Sequence, residues 1–194
     1  TYTTQVNWGD GHSNNVANSG GSFSDTHTYA DNGTYSVTVT IKDDDGGIAT
    51  ETLTITVNNV FPDVSATDQE VEEGTAFTLA ELGWRIEDPG FDNPDDPSGA
   101  TTETFTPTYE IDWGDGTSEP VGDISLQRNS GSEGVDTTGT IQAQHAYADN
   151  GVYTVTVTVN DDDSGADVET FTVTVANVAP DLDDLADQET DEGT

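Results

Sequence analysis

Residues 27–39 read His-Thr-Tyr-Ala-Asp-Asn-Gly-Thr-Tyr-Ser-Val-Thr-Val, and residues 145–157 read His-Ala-Tyr-Ala-Asp-Asn-Gly-Val-Tyr-Thr-Val-Thr-Val. In the first stretch and just beyond it, Tyr35, Val37, Val39 and Ile41 alternate with Ser and Thr. In the second, Tyr153, Val155, Val157 and Val159 do the same. A period of two places the apolar side chains on one face and the hydroxyls on the other, which is a strand with one buried side. The β-branched Val and Thr residues favour that pleated backbone. Leu53, Ile55 and Val57, like Phe171, Val173 and Val175, continue the pattern in the next strand. The acidic, glycine-ended runs Asp43-Asp44-Asp45-Gly46-Gly47 and Asp161-Asp162-Asp163-Ser164-Gly165 fall between and read as hairpin turns. No segment shows helical periodicity with caps. Short strands split by Gly, Asp and Asn turns predict an all-β chain of tandem sandwiches.

The recurrence extends outward from these stretches. Trp8-Gly9-Asp10-Gly11 returns as Trp113-Gly114-Asp115-Gly116, Asn59-Val60-Phe61-Pro62 as Asn177-Val178-Ala179-Pro180, and Asp68-Gln69-Glu70 as Asp187-Gln188-Glu189. Glu73-Gly74-Thr75 returns as Glu192-Gly193-Thr194. Ordered matches at nearly one offset are not produced by chance. The spacing predicts a partial unit over residues 1–61, the second half of a repeat. It predicts a complete unit with long loop insertions over 62–179, and the opening strand of a further repeat over 180–194. Thr1 opens inside a strand, as in an excerpt from a tandem array. The same out-of-register ends also allow head-to-tail completion, with the last strand of one molecule filling the open first unit of the next.

Composition limits the partners. The 194 residues hold 39 Asp plus Glu against 3 Lys plus Arg, a formal net charge of −36. Binding a polyphosphate needs cationic side chains to replace its counterions, so nucleic acid is excluded, and an anionic membrane surface is disfavoured for the same reason. Like charges repel within a Debye length of about 8–10 Å, so high salt, bound cations or wide spacing must offset the imbalance. An apolar fraction of 31% with this charge would suggest disorder, but the clean alternation argues for folded strands. There is no cysteine, hence no disulfide framework. No signal peptide is evident, and no run approaches the roughly 18 apolar residues of a membrane span.

The repeated motifs resemble the PKD (polycystic kidney disease) repeat. It is marked by an aromatic strand ending in a Gly-Asp-Gly turn, then His-x-Tyr, a short loop with Gly, and a Tyr-x-Val-x-Val strand. Here these are Trp113 to Gly116, His145, Tyr147, Gly151 and Tyr153-Val155-Val157. The first unit supplies Trp8 to Gly11, His27, Tyr29, Gly33 and Tyr35-Val37-Val39. The turn contracts to Trp-Gly-Asp-Gly, and the stretches 88–103 and 117–139 are long. The resemblance implies an Ig-like β-sandwich of extracellular proteins, serving as a spacer or as an adhesion module that contacts proteins or sugars.

Individual residues fit a structural reading. Trp8 and Trp113 end apolar-alternating strands and are expected in the core. Asp10 and Asp115 are expected to cap the Gly turn through backbone amides, and Tyr29 and Tyr147 to act as tyrosine corners. His27 and His145 are expected to hydrogen-bond rather than to ligate a soft metal, which calls for several His or Cys. Asn32-Gly33-Thr34 is a glycosylation sequon but is equally good turn chemistry. Catalysis finds no support. There is no Gly-x-Ser-x-Gly run, carboxylates are too numerous to single out a glycosidase pair, and Lys42 is the only lysine.

The carboxylates are informative by position. In an Ig-like topology the loop from Asp88 through Asp92, the turn Asp161 to Asp163 and the linker Asn59 to Asp63 lie at one pole, facing Asp31 of the first unit. The expected ligands there are Asp31, Asn59, Asp63, Asp88, Asp92, Asp161 and Asp163, with Asp43 and Asp45 holding the equivalent turn of the first unit. Close carboxylates repel by about 1 kcal/mol per pair at 4 Å even in bulk water. A Ca2+ ion, which takes 6–8 oxygens from flexible loops, removes that repulsion. The arrangement is similar in logic, though not in sequence, to the junction of cadherin repeats. The alternative is a set of hydrated acidic turns.

These features predict a non-enzymatic extracellular or cell-surface module. In it, Ca2+ stiffens the junctions of a stalk or adhesive fibre whose partners are neighbouring repeats, further copies of itself, or surface glycans and proteins. Two rivals remain. A carbohydrate-binding accessory module of a secreted hydrolase needs exposed aromatics, with Trp84 and Trp113 the candidates. A filament subunit needs residues 180–194 for strand exchange.

Overall fold

A computed structural model describes residues 1–18, 21–97, 101–119, 126–182, 189 and 192. The expected opening strand over 180–194 lies almost entirely outside the described residues. The first unit contributes strands β1 (Tyr2–Asn7), β2 (Ser13–Val16), β3 (Gly33–Asp43) and β4 (Ile48–Val57), hydrogen-bonded as one antiparallel sheet in the order β2-β1-β3-β4. Val6 and Val37 are buried on one face, whereas Leu53 on β4 is 50% exposed. That sheet has no second sheet of its own across from it among the described residues.

The second unit holds the main core. It comprises β5 (Asp63–Ser65), β6 (Gln69–Glu72), β7 (Phe77–Thr78), β8 (Arg85–Asp88), β9 (Phe105–Asp112), β10 (Ser118–Glu119), β11 (Leu126–Asn129), β12 (Thr137–Ile141), β13 (Gln144–His145), β14 (Gly151–Asp161) and β15 (Ala166–Ala176). One sheet runs β10-β9-β14-β15-β6 and the other β11-β12-β8-β5, with β13 and β7 pairing separately. The chain changes sheets on entering the unit. β5 pairs antiparallel with β8, after which β6 pairs in parallel with β15. The alternating residues Val155, Val157, Val159, Phe171 and Val173 are buried in one cluster with Ile86, Ile141, Trp84 and Trp113, so the period-two pattern maps onto the buried side. One short 3-10 turn, Leu79–Leu82, breaks the all-strand expectation. It is closed by a capping box between Thr78 and Glu81 and by Gly83 in the left-handed conformation, signals too local to register as helical periodicity.

Trp84 and Trp113 are buried, at 1% and 0% exposure. Neither ring can stack on a sugar, so the aromatic platform that a carbohydrate-binding reading would draw from them is absent. Each is the apolar filling between sheets. The Trp113 carbonyl accepts the buried Tyr147 hydroxyl at 2.9 Å, and the Trp8 carbonyl accepts that of Tyr29 at 3.0 Å, so both tyrosines act as corners. Tyr147→Phe strands a buried acceptor and is expected to cost about 1–3 kcal/mol, read as a lower urea midpoint at unchanged slope.

Candidate functional site: an acidic cavity between the units

Where the two units meet, the loop after β8 lies against the first sheet. The Phe91 amide donates to the Ala30 carbonyl at 3.0 Å, and the Asn93 side-chain amide donates to the Asp10 carbonyl at 2.9 Å. The linker is anchored from the other side, with Asn59 Nδ2 donating to Asp161 Oδ2 at 2.7 Å. These contacts frame a half-open cavity of about 80 Å³ lined by Asp31, Asn32, Asn58, Asn59, Asp88, Gly90, Glu103 and Asp163, among others.

Each acid reaches the cavity for a local reason. Asp31 sits in the loop before β3, where its carbonyl accepts the Tyr35 hydroxyl at 2.9 Å. Asp163 lies in the hairpin turn between β14 and β15, its amide donating to Asp161 Oδ1 at 3.0 Å. The next residue, Ser164, has φ of 75°, left-handed backbone that a non-glycine side chain resists. Asp88 ends β8, with Oδ1 accepting the Gly90 amide at 2.7 Å. At Gly90 a Cβ would lie 2.6 Å from Glu103 Cδ and 3.0 Å from Asp88 Oδ1, so any larger residue would push these two acids from their places. Glu103 precedes β9 and points inward on the same alternation as Phe105.

Carboxylate oxygens of Asp31, Glu103 and Asp163 all lie within 4.8 Å of one another. Asp88 and Glu103 are 2% and 6% exposed. Asp31 Oδ1, Asp88 Oδ2 and Glu103 Oε1 are buried and accept no hydrogen bond among the described residues, and no described Lys or Arg pairs with Asp31, Glu103 or Asp163. Burial, reinforced by the neighbouring charges, pushes the Glu103 carboxyl up to about 8. Burial, then Asp163, raises Asp31 to about 6. Burial raises Asp88 to about 6, against the opposing Gly90 amide and with the Asp161–Asp163 charges adding to the rise. Two buried carboxylates and the half-buried Asp31 thus each keep one buried oxygen without a donor, and no described cationic side chain offsets their charge.

A family model described as a PKD domain matches residues 1–57. Residues 1–57 are thus similar to a PKD domain. Among solved structures, the PKD domain of an M14-like peptidase from a Thermoplasmatales archaeon is similar at 21% identity and a TM-score of 0.34, covering 59% of this chain and 92% of that one. The human desmocollin-1 ectodomain is similar at 14% identity and a TM-score of 0.28, covering 78% of this chain and 24% of that one. The chain thus spans about a quarter of the desmocollin structure. No curated protein matches the chain.

The structure distributes the expected ligands unevenly. Asp31, Asn59, Asp88 and Asp163 line the cavity between the units. Asp161 does not line it; Asp161 Oδ1 instead accepts the Asp163 and Gly165 amides and its other oxygen holds Asn59, so it shapes the site from behind. Asp92 pairs with Arg128 and faces a different groove. Asp63 is exposed at the start of β5. Asp43 and Asp45 sit at the far end of β3 from the cavity, about 33 Å away at 3.3 Å per residue over a strand of this length. There Asp43 Oδ1 accepts the Gly47 amide at 2.6 Å, the same turn closure as Asp161. Glu103 escaped the sequence reading, although its alternation with Phe105 placed a carboxylate at an inward position.

Proposed function

We propose that the chain is an extracellular structural or adhesive segment whose junction is locked by Ca2+. Asp31, Asp88, Glu103 and Asp163 would hold the ion, with Asn59 and backbone carbonyls completing the 6–8 oxygens that calcium takes at about 2.3–2.6 Å. The observation that carries this reading is the trio of buried carboxylate oxygens with no partner, drawn from both units. Oxygen donors alone favour a hard cation over a transition metal. The ion binds the assembled junction and not the separated units, so it converts a hinged pair into a stiff one. The PKD-type fold supports a surface location and a module that positions rather than transforms its partners. Among the described residues no helix is long and apolar enough to cross a membrane.

Calorimetric titration at fixed sodium chloride tests the proposal, alongside solution scattering in calcium and in chelator. The expected result is saturable calcium binding that increases and narrows the particle's maximum dimension. Weak, salt-like binding with identical scattering in both conditions would leave the cluster as hydrated acidic turns.

A further inference from the structure

The first unit carries a second cluster that the junction does not use. Asp10, in the Trp-Gly-Asp-Gly turn, is 2% exposed. Its Oδ2 meets His27 Nε2 at 2.7 Å and His12 Nδ1 at 3.3 Å, and the three ligand atoms lie within 4.8 Å of one another. His27 is held from behind by stacking on Trp8, with centroids 4.9 Å apart and planes 16° from parallel. Tyr29 meets its edge at 4.8 Å. Both imidazole nitrogens therefore converge on one carboxylate oxygen, and one side opens into a groove of about 320 Å³.

The second unit provides an internal comparison. Asp115 meets His145 at 3.0 Å, and His145 stacks on Trp113 with centroids 4.5 Å apart. At the position of His12 stands Thr117, whose hydroxyl donates to Asp115 Oδ1 at 2.5 Å. The turn itself is closed the same way in both, by the amide of that residue donating to the aspartate: His12 to Asp10 at 3.1 Å and Thr117 to Asp115 at 2.9 Å. The His–Asp pair stacked on tryptophan is thus sufficient to build the turn, and the half-exposed second imidazole of the first unit adds nothing that the turn needs.

We propose that Asp10, His12 and His27 form a binding site for a borderline divalent transition ion, Zn2+ foremost, distinct from the acidic cavity. A tetrahedral zinc with bonds of about 2.0–2.1 Å spaces its ligands by roughly 3.3 Å; His12 already stands at 3.3 Å from Asp10 Oδ2, and His27, at 2.7 Å, has to draw back by about half an ångström to admit the ion. Two imidazoles and one carboxylate leave a fourth position directed to the groove, where water or an incoming side chain completes the shell. Asp10 itself supplies the backbone carbonyl that the Asn93 side chain grips, so an ion here sits beside the contact between the units.

The test is a zinc titration of the 194-residue chain in millimolar calcium, which occupies hard oxygen sites, comparing it with His12→Thr. Threonine is the residue the second unit already uses, so the turn is retained, and near-ultraviolet circular dichroism checks this. Losing even an outer-shell partner weakens metal sites by about 10–100-fold. The expected result is one tight equivalent of Zn2+, weakened at least about 100-fold in the variant. Cobalt should give visible absorption of a four-coordinate ion in the parent and not in the variant. Zinc binding equal in both proteins, or no binding to the parent, overturns the assignment.

Discussion

At about pH 8, stripping divalent cations lowers the melting temperature by about 10 °C, whereas near pH 5 the same treatment changes it little. The sign follows from three carboxyls whose folded-state values lie above their ordinary ones: Asp31 and Asp88 raised to about 6, and Glu103 to about 8. Between about pH 4 and those values the folded state keeps protons that the unfolded state has released. Without a cation, stability therefore falls as pH rises through that window. A bound calcium replaces those protons. It relieves most repulsion above about pH 8, where all three groups are ionised, and has little to bind at about pH 5, where they are protonated. An ion at a thousandfold excess over its dissociation constant contributes about 4 kcal/mol. At roughly 2–4 °C per kcal/mol for a chain of this size, that is the shift given. Melting curves across pH, in chelator and in calcium, measure it. Parallel curves would remove the cation from the account.

Glu103→Gln is expected to act in opposite directions in those two conditions. In chelator at about pH 8 the variant is more stable than the parent. The parent keeps a buried carboxyl whose ordinary value of 4.5 is pushed up to about 8, and each unit of displacement corresponds to about 1.4 kcal/mol. A gain of a few kcal/mol is expected, because the amide is neutral and can donate toward Asp88 and Asp31. In saturating calcium the order reverses, since the variant has lost a charged ligand and binds the ion more weakly. A purely structural role for Glu103 predicts the same sign in both. Denaturant unfolding of the two proteins, with and without calcium, separates the cases.

Much of this was legible in the residues. The alternation of Tyr153, Val155, Val157 and Val159 matches the buried face of β14. Tyr147 and Asp115 take the corner and turn-capping roles that their motifs suggested. The candidate cavity was legible in part. Asp31, Asp88, Asn59 and Asp163 lie on loops that share a pole, yet Asp92 and Asp63 share it too and face elsewhere. Glu103 was missed because a carboxylate at the base of a strand looks, in a sequence with 39 acids, like any other. His12 was passed over because its partnership with His27 crosses 15 residues and exists only when the turn and the loop fold together.

Sequence alone determined strands, faces and turns, because these depend on the order of apolar and polar residues over a few positions and on the chemistry of Gly, Asp and Asn. Only the tertiary structure decided which charges become neighbours. Whether an aspartate is hydrated, paired with Arg128 or buried against two others depends on the packing of loops far apart in the chain. At a separation of a few ångströms, and away from water, that packing makes the charge of an ordinary acid costly and raises its pKa, as at Glu103.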